Sequence, residues 1–165
     1  MVIKNEAVDL TAVLHAAVDT VRAAAAAKAI ILETDMDESA RFITGDADRL
    51  QQVVWNLLSN SLKFTPVNGR VRLRLRKNQS NAEIIVEDTG EGISPEFLPR
   101  VFDRFCQADG GTARQHGGLG LGLAVVRYLV EAHGGVVRVK SDGKGLGSTF
   151  IVSLPIVRVG EALSA

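Results

Sequence analysis

The chain has 165 residues, 46% of them apolar and 23% charged, the proportions of a soluble globular protein able to bury one sizeable core. Nineteen basic residues balance nineteen acidic ones, which excludes a strong global field for nucleic acid or anionic lipid, and a single cysteine, Cys106, excludes an internal disulfide. No apolar run approaches the roughly 20 residues expected of a membrane helix. The opening MVIKNEAVDL also lacks the apolar core of an export signal.

Residues 9–28 read as a helix, with Asp9 placed to cap it and Val13, Leu14, Ala17, Val18 and Val21 recurring at helical spacing. IILETD and RFITG follow as short strands, and Asp46 is placed to cap a second helix over about 47–64. On that helix Leu50, Val54, Trp55, Leu57, Leu58 and Leu62 form an apolar arc for the core. TPVNG ends it with a proline and a turn. RVRLRLRK then alternates strictly, Val71, Leu73 and Leu75 against Arg70, Arg72, Arg74 and Arg76. That period predicts a strand with one buried and one wet face, the arginine row being either a solvated face or a binding stripe. NAEIIVED pairs with it through the turn NQSN.

TGEGISPEFLPRVFDRF reads as a glycine turn and a short helix near 95–101. CQADGGTARQHGG is polar and aperiodic, the composition of a mobile loop. Leu121–His133 is a helix closed by Gly134 at the C′ position, and VVRVKS and GSTFIVSLPI are the closing strands. The order predicts an α/β (α+β) two-layer sandwich: one mixed, largely antiparallel sheet with helices on one face.

Four stretches carry chemistry. In WNLLSNSLKF the polar residues Asn56, Asn60 and Lys63 stand at i, i+4 and i+7, one face of the helix. Amide oxygens are hard, neutral ligands suited to Mg²⁺, and a lysine one turn on can neutralise a phosphate. Capping of a neighbouring loop by the amides, with Lys63 snorkelling at the helix end, fits that helix equally well. In EDTGEGI an apolar strand ends at Asp88, and Gly90 and Gly92 allow a tight turn with close backbone approach. A partly buried carboxylate there can accept from an exocyclic amine; an ordinary Asx-type turn is the plainer alternative. In GGLGLGLAVV glycines 117, 118, 120 and 122 run into a helix, leaving N–H groups and the helix dipole free for an anion. A dinucleotide loop would need a strand before those glycines, and DGGTARQH is not one, although Asp142 lies about 20 residues beyond Gly122. GKGLGSTF is a glycine turn into the last strand, by itself only a hairpin signal, where Thr149 either places a hydroxyl near a base or is simply a good strand residue.

In this order, RLQQVVWNLLSNSLKFTP, VEDTGEGISPEFLPRVFDRF, GGLGLGLAVVRYLVEAHGG and GKGLGSTF closely resemble the ATP-binding catalytic domain of sensor histidine kinases. The boxes span 49–150, and the resemblance covers essentially all of 1–165 with a core of about 9–155. It implies the Bergerat fold, a mixed sheet on three helices shared with DNA gyrase, heat-shock chaperones and mismatch-repair ATPases. It implies ATP or ADP with Mg²⁺ as ligands, Asn60 as the metal ligand, Asn56 supporting the phosphates or metal, and Lys63 contacting phosphate. Phe64 would lie against the base and Asp88 would accept from the adenine amino group, with Gly90 and Gly92 forming the turn below. Gly117, Gly118, Leu119, Gly120, Leu121 and Gly122 would cradle phosphates beneath a lid hinged by Phe102 and Phe105.

Related ATPases carry a glutamate, as general base, where Asn56 stands; an amide cannot take that proton near neutral pH. The resemblance therefore implies a site that holds ATP without rapid hydrolysis and transfers its γ-phosphate to a histidine on a separate dimerisation and acceptor domain, feeding a response regulator. That helical acceptor domain is not among these residues, and His15, His116 and His133 lack its serine-histidine-glutamate setting. A cytoplasmic domain is expected, with no nucleic-acid partner and no direct membrane insertion, whether or not a parent kinase is anchored. The chain departs from the family at Leu119, where threonine is usual, and at Gln107, where many members have arginine; FCQADGGTARQHGG is nearer to many hybrid kinases. Arg104 or Arg114 could supply the lid charge, and Cys106 is either a small buried residue or a redox switch. The rival functions are a catalytically silent nucleotide-binding module, a stand-alone Bergerat ATPase and a serine kinase that antagonises sigma factors, the last two tending to keep the glutamate.

Overall fold

A computed structural model describes residues 2–103 and 122–156. In chain order the elements are β1 (Glu6–Asp9), α1 (Leu10–Ala27), β2 (Ile31–Met36), β3 (Phe42–Gly45), α2 (Ala47–Phe64), β4 (Arg70–Asn78), β5 (Asn81–Asp88), α3 (Gly122–Ala132), β6 (Val136–Lys140) and β7 (Ser148–Pro155). The expected caps hold. Asp9 accepts from Thr11 and Ala12 N–H at the start of α1, Asp46 accepts from Arg49 N–H at the start of α2, and Gly134 closes α3 with φ +76°. Two differences are local. The region near 95–101 holds only a 3₁₀ turn, Leu98–Arg100, because prolines at 95 and 99 remove backbone donors and no side chain caps it. β1, which the sequence did not suggest, pairs antiparallel with β3 in a small sheet of its own.

The main sheet runs β2-β4-β5-β7-β6, with β2 and β4 parallel and every other pair antiparallel. The parallel pair follows from connectivity, since the chain crosses from β2 through α2 before returning as β4. One face carries Val71, Leu73, Leu75, Ile84, Val86, Phe150, Val152 and Leu154, all fully buried against the three helices. The other face bears the arginine row. Arg70 pairs with Glu33, Arg74 with Glu87 and Arg76 with Asp35, so these three arginines build a solvated face of cross-strand ion pairs. Across the central strands the register sets Arg74, Ile85, Ile151 and Arg138 in one row, and the arginine stems flank two isoleucines that are each only 8% exposed.

By length and composition α1 is apolar enough to cross a membrane, contrary to the expectation from apolar runs. It is nevertheless a core helix: Leu10, Val13, Leu14, Ala17, Val18 and Val21 are buried, and Asp19 and Arg22 pair on the outside. α2 also differs from the expected apolar arc. Leu50, Val54, Leu57, Leu58 and Leu62 are buried, whereas Trp55 is 46% exposed. Each residue turns about 100° around a helix, so Trp55 falls on the flank of the arc, bordering a groove between α1 and α2 with Val21, Ala24, Lys28 and Lys63.

Candidate functional site

The C-terminal end of α2, the turn after β5 and the hairpin between β6 and β7 meet at one place. Glu91 N–H donates to the Phe64 carbonyl at 2.9 Å, so the last residue of α2 rests on the glycine turn. A Cβ on Gly90 would run into that same carbonyl, and one on Gly92, whose φ is +72°, would run into the Gly143 carbonyl. Both positions need glycine for close approach, as the sequence indicated. The turn is tied onward to the hairpin, Gly145 N–H donating to Glu91 O at 2.6 Å and Gly147 N–H to Gly90 O at 3.1 Å.

Asp88, 9% exposed, ends β5 on the helix-facing side. Its Oδ1 accepts from Gly90 N–H at 2.9 Å and Ser148 N–H at 3.3 Å, and its Oδ2 accepts from the Ser148 hydroxyl at 2.8 Å. Carboxylate oxygens offer two lone pairs each, so Oδ2 keeps one for an outside donor. The hydroxyl beside Asp88 is therefore Ser148 and not Thr149. The register pairs Asp88 with Ser148 and Thr149 with Glu87, which turns the Thr149 side chain to the opposite face of the sheet. The sequence held the signal for this: Phe150, Val152 and Leu154 alternate inward, and Ser148 extends the same alternation.

On α2, Asn56 Nδ2 donates to the Gly122 carbonyl at 3.3 Å, joining that helix to the start of α3. At the opposite end of α3, His133 Nε2 accepts from Asp46 N–H at 3.1 Å and its Nδ1 lies 2.8 Å from the Leu129 carbonyl. Asn60 is half-buried, and its carboxamide makes no hydrogen bond with the described residues. Lys63 is exposed at the end of α2, where the Leu62 carbonyl accepts from Lys28 Nζ at 2.7 Å. Phe102 packs edge-on against Phe150, with ring centres 6.1 Å apart and planes at 80°. Phe105, Arg114, Gly117, Gly118, Leu119, Gly120 and Leu121, with Arg104, Cys106, Gln107 and His116, lie outside the described residues. Among the described residues no group of three or more His, Cys, Asp or Glu side chains could hold a metal ion, so a cation here would rely on carboxamide oxygen and on its own ligands.

Residues 45–158 match the family model for histidine kinase-, DNA gyrase B- and HSP90-like ATPases. The chain belongs to this family. Among family members, the hybrid signal transduction histidine kinase D of Dictyostelium discoideum is 38% identical over 92% of this chain, which spans 12% of that protein. The solved structure of the mycobacterial sensor histidine kinase MprB superposes with a TM-score of 0.79 at 32% identity, covering 92% of this chain and 97% of that one. Full-length ShkA in complex with AMPPNP superposes with a TM-score of 0.82 at 30% identity, covering 94% of this chain and 32% of that one. The fold and the relatives together make this an ATPase-family domain of the sensor histidine kinase type.

Proposed function

We infer that this chain binds ATP with Mg²⁺ and donates the γ-phosphate to a histidine on a separate dimerisation and acceptor domain, which then serves a response regulator. The observation that carries the reading is Asp88: a buried carboxyl, held by Gly90 and Ser148, with acceptor capacity left on Oδ2 for the adenine amino group. The likeness to ShkA, solved with an ATP analogue, supports the same ligand class. Gly90 and Gly92 would form the floor beneath the base, and Phe64 would flank it. Asn60, whose carboxamide makes no hydrogen bond with the described residues, fits a hard oxygen-ligated cation. Bound there, Mg²⁺ would supply charge neutralisation at the phosphates. Asn56, Lys63 and Gly122, with Gly118, Leu119, Gly120, Leu121, Phe105 and Arg114 of the lid, are proposed to hold the triphosphate.

Transfer needs an in-line nucleophile. A neutral imidazole nitrogen attacks the γ-phosphorus, the bond from that phosphorus to the bridging oxygen breaks, and ADP leaves with the electron pair while the imidazolium proton is lost. Asn56 offers no base to activate water in place of that imidazole. The domain would work in the cytoplasm without nucleic acid and without entering a membrane itself.

A magnesium-dependent ATP titration by calorimetry tests the reading. Saturable binding is expected, and Asn60→Ala should weaken it in Mg²⁺ by roughly tenfold, the scale of one lost polar contact. Label from ATP should pass to histidine only when a cognate helical domain is supplied. Binding without transfer to any such domain would point to a silent module, and steady phosphate release by the chain alone, abolished by Asn60→Ala, would point to a stand-alone ATPase.

A further inference from the structure

Ser141 follows β6 and belongs to none of the groups assigned above. It is half-buried, and its Oγ accepts from Ile93 N–H at 2.9 Å and from Gly143 N–H at 3.3 Å while donating to the Gly147 carbonyl at 2.7 Å. A 3.4 Å approach to the Gly143 carbonyl is the weaker alternative for the same proton. These partners belong to the two glycine turns of the site. Ile93 closes the turn that begins at Asp88, and Gly143 and Gly147 bracket the hairpin that delivers Ser148.

Two side-chain pins therefore join the turns. Asp88 with Ser148 forms one, at the start of the first turn, and Ser141 with Ile93 forms the other, at its end. The main-chain bonds between the turns lie in between. The geometry points to Ser141 as a positioning residue for adenine recognition, its hydroxyl fixing the separation of the two turns and hence the placement of Ser148 against Asp88. This rests on the nucleotide reading above. Alanine would leave the Ile93 and Gly143 N–H groups without their acceptor and the Gly147 carbonyl without its donor, so the hairpin would be free to shift. A carboxyl aimed at an amino group discriminates by direction, and a displaced one discriminates poorly.

The test compares dissociation constants for ADP and inosine diphosphate, whose base carries a carbonyl in place of the amino group, on the full chain and its variants. The wild-type chain should prefer ADP. Ser141→Ala should lose roughly tenfold for ADP and no more than about twofold for inosine diphosphate, so the preference collapses. Ser141→Thr keeps the hydroxyl and should keep the preference. Should Ser141→Ala fail to fold, Ser141→Cys, a weak donor and acceptor of similar size, carries the same expectation as alanine. An unchanged ratio in either variant, including one where both affinities fall alike, overturns the role, as does a threonine variant no better than alanine. A wild-type chain that binds neither nucleotide overturns the nucleotide reading and this inference with it. A wild-type preference that survives in the variants removes only Ser141.

Discussion

Asp88 shows how the role of one side chain depends on what its partners leave unused. Its two oxygens receive three hydrogen bonds from Gly90 and Ser148, and all three donors tolerate an amide in its place: the amide oxygen can face the two N–H groups while the amide nitrogen donates to the Ser148 hydroxyl. Asp88→Asn should therefore fold with stability within about 1 kcal/mol of wild type. The amide would nonetheless present a donor toward the base's own amino group, and adenine-nucleotide affinity should fall by roughly a hundredfold. Calorimetry with ADP, beside a denaturation curve, separates the two effects; a folded variant with unchanged affinity would remove Asp88 from the base pocket. Ser148 was within reach of the sequence, because its inward direction follows from the alternation of the strand it opens. Thr149 carries the same hydroxyl chemistry, but the alternation of the strand turns it to the face opposite Asp88.

At the scale of elements, the helices are joined to the sheet and to one another through their ends. Asp9 caps α1 and also accepts from Arg41 Nη2 at 2.9 Å and Nε at 3.1 Å, fastening the start of that helix to the entry of β3. The Arg41 guanidinium, with the Thr11 hydroxyl and the helix N–H groups, holds the Asp9 carboxyl well below the usual carboxylate range, against the opposing effect of burial. A carboxyl with a depressed folded value adds stability that is complete above its unfolded value, near pH 4, and is lost as pH falls toward the folded value. Asp9→Asn keeps a good cap and removes the charge, so it should cost less than about 1 kcal/mol at neutral pH, the Arg41 partner being solvent-screened. The gap to wild type should close on acidification below about pH 4; urea curves in which the gap widens there would contradict the pairing. α3 is held to α2 at both ends, through Gly122 to Asn56 and through His133 to Asp46. None of these joints is visible in a helical repeat, because each partner is far away in sequence.

Across the whole molecule, Phe150 is the side chain on which the layers converge. It is fully buried in β7, pairs in register with Val86 and Val139, and meets Phe102 edge-on. Phe150→Ala should cost about 3–5 kcal/mol, the range for truncating a buried aromatic, a large share of a stability of roughly 5–15 kcal/mol. Urea unfolding should show a lowered midpoint with an unchanged slope. A loss below about 1 kcal/mol would mean that the centre of the sheet is not packed as described.

Periodicity and capping are local, and the chain carries them in full. The helical and two-residue spacings, the Asp9 and Asp46 caps and the proline after α2 determined all three helices and six of the seven strands, and the glycines at 90 and 92 marked the tight turn that follows Asp88. Tertiary structure decided what depends on distant partners: the pairing of β1 with β3, the parallel run of β2 beside β4, the exposed flank taken by Trp55, and the choice of Ser148 over Thr149. It also gave Ser141 its three backbone partners, two of them in one hairpin and one 48 residues away. The physical reason is the range of the interaction. A side chain's direction is set within a turn or two of its own backbone, whereas the atom that it meets is set by how the layers close.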